Sequence, residues 1–117
     1  MRLIIGLILI GLIQSPVFSQ SINNSIKVSK DLNLIKLSDN AFLCVSFYDL
    51  PNYGRTSANG LIFINGNKAF LLDSPWTDEM TKDLIQYISN TLRLKVVGFI
   101  STHWHIDRMG GLGFLLK

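Results

Sequence analysis

Both histidines of the chain fall within Thr102-His103-Trp104-His105-Ile106-Asp107, one residue apart, with a carboxylate two positions further on. Imidazole nitrogens and a carboxylate oxygen gathered so densely form a donor set that suits zinc. On an extended backbone, residues 103, 105 and 107 would project from one side, so three ligands would converge without any long-range folding. The bland alternative is a polar loop that happens to hold two histidines, with Asp107 capping a helix that begins near Gly110. Context favours the metal. The apolar run Val96-Val97-Gly98-Phe99-Ile100 precedes the cluster, and Gly110-Gly111 follows it, small enough to let the backbone turn closely around an ion.

The elements that must position this cluster can be read from hydrophobic period. Met80, Leu84, Ile85, Ile88 and Leu92 recur at helical spacing, with Thr77 as N-cap and Asp78 and Glu79 in the first turn, which predicts an amphipathic helix over 78–92. Ala69-Phe70-Leu71-Leu72 before it and residues 95–101 after it read as strands, the second buried on both faces, so the segment is a βαβ unit with a parallel strand pair. Ligands in such sheets gather beyond the carboxyl ends of the strands, where Asp73 and Ser101 to Arg108 fall. Upstream, 26–28, 32–37 and 41–48 read as strands of a meander, and Leu61-Ile62-Phe63-Ile64 continues it through an Asn65-Gly66-Asn67 hairpin turn. Residues 49–59, with Pro51, Asn52, Gly54, Ser57 and Asn59, read as a loop. The expected class is α/β with a mixed sheet.

Composition narrows the rest. The 117 residues carry one Cys, so no disulfide closes within the chain, and a formal charge of +3. Arg2 followed by the apolar run Leu3 to Ile13, then Pro16 and Val17-Phe18-Ser19, has the form of a secretory leader cleaved after Ser19, the alternative being a membrane anchor. This predicts a signal peptide at 1–19, a domain at 20–117 and a periplasmic location free of the membrane after cleavage. The basic residues are scattered singly, which argues against a nucleic-acid partner. No Ser-x-x-Lys signature is present, and nothing else suggests a serine nucleophile.

Three stretches, Ser57-Ala58-Asn59-Gly60, Ala69-Phe70-Leu71-Leu72-Asp73-Ser74-Pro75 and His103 to Leu112, together resemble the metallo-beta-lactamase superfamily, and within it the first, di-zinc subclass of class B beta-lactamases. The resemblance covers nearly the whole chain after the leader and implies the N-terminal half of an αβ/βα sandwich. It implies that His103 and His105 bind a first zinc and that Asp107, also catalytic, binds a second. Zinc-bound hydroxide would then open the beta-lactam amide of penicillins, cephalosporins or carbapenems, a small-molecule substrate, giving antibiotic resistance. Zinc supplies that chemistry without a side-chain nucleophile, because it lowers the pKa of a bound water toward ~7 and polarises a carbonyl.

The superfamily's thioester and phosphoester hydrolases usually carry a His directly after the Asp, where this chain has Arg108. That favours the lactamase subclass over a thioester or lactone hydrolase. Arg108 is then either a surface cation or a charge tuning the second metal. By the same resemblance Asp73 supports the motif loop from beneath, or is a plain strand-end turn residue. Leu50, Pro51 and Tyr53 occupy the place of the family's mobile substrate flap, or form an ordinary surface hairpin. Cys44, inside a strand, reads as a core residue. The family completes its two sites with a third His, a Cys and a further His from the second half of the sandwich, and no His follows His105 here. The expectation is therefore a chain truncated at its C-terminus, belonging to a monomeric enzyme and inactive alone. The rival outside enzymology is an exported zinc-binding domain without turnover.

Overall fold

The computed structural model describes residues 24–117, and the leader expected at 1–19 lies outside them. Six strands form one sheet in the order of the sequence: β1 (Ser25–Ser29), β2 (Leu32–Ser38), β3 (Ala41–Leu50), β4 (Gly54–Asn65), β5 (Lys68–Leu72) and β6 (Lys95–Ile100). Neighbours are antiparallel except β5 and β6, which pair in parallel because α1 (Asp78–Asn90) carries the chain back between them. The mixed sheet and the βαβ unit are those expected from the sequence.

Helix α1 begins as its sequence predicts. The Thr77 hydroxyl accepts a hydrogen bond from the Met80 amide at 3.2 Å, satisfying one of the amide donors that a helix start leaves free. It stops two residues short of the predicted 92, with Arg93 in the left-handed region (φ 58°) and the Leu94 amide bonded to the Ile88 carbonyl. Its buried stripe, Thr81, Leu84 and Ile88, packs on one face of the sheet against Leu32, Leu34, Phe42, Cys44, Ile62, Ala69 and Leu71. This alternation of inward residues along β2, β4 and β5 is the period-2 pattern of a sheet covered on one side. The opposite face is apolar yet open among the described residues: Phe63, Phe70 and Ile100 are 46%, 43% and 69% exposed.

One predicted loop is a sheet extension. Residues 49–59 are not irregular: β3 and β4 pair without a break from Ala41↔Phe63 to Leu50↔Gly54. Only Pro51, Asn52 and Tyr53 turn, with Asn52 (φ 68°) and Gly54 (φ 72°) supplying the left-handed backbone. The small and polar residues that suggested a loop are the solvent-facing partners of a long hairpin. Near its turn the Arg55 guanidinium donates to Asp31 Oδ1 at 2.7 Å and lies over the Phe47 ring. The arm reaches past the ends of β5 and β6, so that the side chains beyond those two strands lie beside it.

Candidate metal centre

Strand β6 ends at Ile100, and the motif does not continue it. Residues 101–105 bend, His105 takes the N-cap position of a one-turn helix α2 (Ile106–Met109), and a second short helix α3 (Leu112–Leu115) follows Gly111. The expected convergence through strand alternation is thus replaced by a bend and a first helical turn, because Asp107 belongs to α2. The convergence itself holds. One ligand atom from each of His103, His105 and Asp107 can be chosen so that all lie within 4.8 Å of one another. The imidazole rings sit 4.6 Å apart at 83°, and both histidines are exposed. Donors around one tetrahedral zinc stand roughly 3.4 Å apart, given Zn–N and Zn–O distances near 2.1 Å. Its two nitrogens and one oxygen are donor types that zinc takes.

Asp73 lies directly beneath. Only 6% exposed, it follows β5 in the left-handed region (φ 62°), a conformation that a short polar side chain tolerates, and its amide donates to the Ile100 carbonyl at 2.9 Å. Its carboxylate accepts from the Thr102 amide at 2.7 Å and lies 3.0 Å, through both oxygens, from the Thr102 hydroxyl. That hydroxyl in turn is 3.0 Å from Nδ1 of His103. Asp73 therefore supports the motif loop, and its support reaches His103 through Thr102. The sequence signal for Thr102 was its place between the strand end and the first ligand, which spacing alone did not single out.

Arg108 is largely withdrawn from solvent. Its Nε lies 3.1 Å from Asp107 Oδ2 without hydrogen-bond alignment, its Nη1 lies 3.6 Å from Asp73 Oδ2, and Nη1 donates to the Asn59 carbonyl on β4. The Arg108 guanidinium thus lies beside the carboxylates of Asp107 and Asp73. Ser74, unremarked in the sequence, joins the site to the core: its amide donates to the Arg108 carbonyl at 2.8 Å, and its hydroxyl accepts from the Gly111 amide at 3.0 Å.

The two glycines also meet a packing demand. A Cβ at Gly110 would stand 2.0 Å from the Trp76 carbonyl oxygen, and one at Gly111 would stand 1.7 Å from Thr81 Oγ1. They let α2 and α3 dock on α1 and on the segment 74–77. Leu50, Pro51 and Tyr53 lie at the tip of the hairpin arm, where Tyr53 is 84% exposed. Cys44 is buried in β3, and its burial pushes the thiol up to about 12, as befits a core residue.

Relatives and solved structures share this arrangement's sequence and shape. No family model matches the chain. A metallo-beta-lactamase type 2 of Bacteroides fragilis is 41% identical over 93 residues, covering 80% of this chain and 37% of the relative. A metallo-beta-lactamase of Erythrobacter litoralis, solved with beta mercaptoethanol in its active site, superposes with a TM-score of 0.75 at 30% identity, over 79% of this chain and 40% of that one. Another metallo-beta-lactamase structure from that organism, in a mono-zinc form, gives a TM-score of 0.70 at 31% identity, over 78% of this chain and 42% of that one. The chain thus spans about two fifths of the length of the proteins it matches.

Proposed function

Because the chain belongs to the metallo-beta-lactamase family over the stretch it shares with these relatives, we propose that it forms part of a zinc-dependent hydrolase that opens the amide bond of beta-lactam antibiotics. The observation that carries this reading is the convergence of His103, His105 and Asp107 within 4.8 Å on a loop anchored by a buried carboxylate. His103 and His105 would hold a first zinc ion and Asp107 a second. Zinc, when bound, polarises a carbonyl and brings the pKa of a water close to neutrality. Asp107 Oδ2 faces the Arg108 guanidinium as a charge contact, which leaves Oδ1 to orient a ligand or accept a proton. Leu50, Pro51 and Tyr53 at the arm's tip would close over the substrate with apolar groups. The leader of residues 1–19 would deliver the protein to the periplasm, where these antibiotics meet their targets.

The relatives run well beyond the stretch that they share with this chain, and three protein donors serve two metals poorly, so this stretch by itself should turn over slowly or not at all. The test is to express the longest open reading frame that contains the chain, load it with zinc and follow hydrolysis of a chromogenic cephalosporin. Turnover abolished by chelator and by His105→Ala is the expected result. Intact cephalosporin alongside cleaved thioester or lactone would move the protein to another branch of the superfamily. Stoichiometric zinc without any turnover would make it a binding domain.

A further inference from the structure

We propose that Thr102 is a positioning residue that selects which nitrogen of His103 faces the metal. The inference rests on the reading of His103 as a ligand, and it goes beyond the contact of Thr102 to the site of the ring proton. A threonine hydroxyl has one proton and two lone pairs. Asp73, buried and with the Arg108 guanidinium 3.6 Å away, is an acceptor only, so the contacts of 3.0 Å between its oxygens and Thr102 Oγ1 require the hydroxyl to donate. Having spent its proton there, Oγ1 can only accept from His103 Nδ1, also 3.0 Å away. Nδ1 must then carry the ring proton, and Nε2 is left with the free lone pair that a metal needs.

The reverse arrangement, with Thr102 donating to Nδ1, would cost Asp73 a hydrogen bond at a buried charge. The exposed His103 ring would gain nothing that water does not already offer. A charge-assisted bond of this kind biases the tautomer ratio by on the order of 10-fold or more. Orientation is set by the same contact. The Thr102 amide is pinned to Asp73 Oδ1 at 2.7 Å, so the hydroxyl, and through it the ring, is referenced to the buried end of β5.

The test is a multiple-bond ¹H–¹⁵N spectrum of the metal-free full chain at about pH 8.5, where an ordinary His is neutral. We expect His103 in the Nδ1–H form, the same form in Thr102→Ser, and its loss in Thr102→Val, with His105 unchanged in all three. Zinc affinity should fall about 10–100-fold in Thr102→Val and recover in Thr102→Ser. An Nε2–H form in the unsubstituted chain would overturn the proposal at once, whatever the variants do and whether or not beta-lactams are hydrolysed. So would a Thr102→Val protein that keeps both the Nδ1–H form and its zinc affinity.

Discussion

Two regions meet at the carboxyl ends of β5 and β6, and they are built to opposite specifications. The seam below is dry: Asp73, Ser74, Trp76, Thr81 and Leu84 are buried, and Gly110 and Gly111 come close enough that a single added carbon would collide with Trp76 or Thr81. The rim above is wet: His103, Trp104, His105 and Ile106 all face solvent, with Trp104 81% exposed. Metal ligands must be reachable, so they cannot be packed, and an exposed side chain has little of its own to hold it still. The seam supplies that order indirectly, through Ser74 to the Arg108 carbonyl and through Asp73 to Thr102. The difference teaches that stability and binding are carried by separate residues only a few ångströms apart, and that claim can be broken.

The largest effect should come from the seam's deepest layer. Leu84 is fully buried between α1 and the sheet, so Leu84→Ala should cost about 2–5 kcal/mol of stability, read from denaturant titration. Zinc affinity of the molecules that stay folded should not change. A matching fall in affinity would show that seam and rim are one cooperative unit. Next comes Gly111→Ala, where the new methyl would overlap Thr81 Oγ1 and the backbone must yield; about 1–3 kcal/mol is expected, and here zinc affinity should fall too, because α2 moves with its anchor. A destabilised variant with intact affinity would mean that the ligand bend holds itself.

This division also explains what could be read from sequence. The seam was legible wherever a single period governs: Leu84 and Ile88 at helical spacing, Leu32 and Leu34 alternating, Thr77 at a helix start. The candidate donor set was legible because His-x-His-x-Asp is local in sequence, whatever backbone carries it. What escaped depends on contacts distant in sequence. Ser57 and Asn59 look like loop residues until β3 is set beside them, Gly111 looks like a turn residue until Thr81 is found against it, and Thr102 acquires meaning only through Asp73, 29 positions earlier. The bend that replaced the expected strand has the same origin, since α2 is set by docking on Trp76 and Ser74.

A smaller effect tests whether Arg108 belongs to the seam or the rim. Its guanidinium competes with any cation for Asp107. Two unit charges about 6 Å apart at an effective dielectric of about 20 repel by roughly 3 kcal/mol, and partial solvent access reduces this further. Arg108→Gln should therefore tighten binding of a second zinc equivalent by about 10-fold, measured by competition with a chromophoric chelator, at a modest cost in stability from the lost bond to the Asn59 carbonyl. Weaker binding of both equivalents would place Arg108 with the supporting residues, as a strut whose removal lets Asp107 swing.

The smallest expected change in stability is at the hairpin tip. Tyr53 is 84% exposed, so Tyr53→Ala should alter the unfolding free energy by no more than about 0.5 kcal/mol. If the arm closes over substrate as proposed, the same substitution in the longest open reading frame that contains the chain should raise KM while leaving zinc affinity untouched, because the tyrosine would touch bound substrate and no ligand. The two readouts separate the possibilities. A loss of more than about 1 kcal/mol would mean that Tyr53 packs against a neighbour. An unchanged KM would remove the tip from the substrate site and leave the arm as a structural extension of β3 and β4.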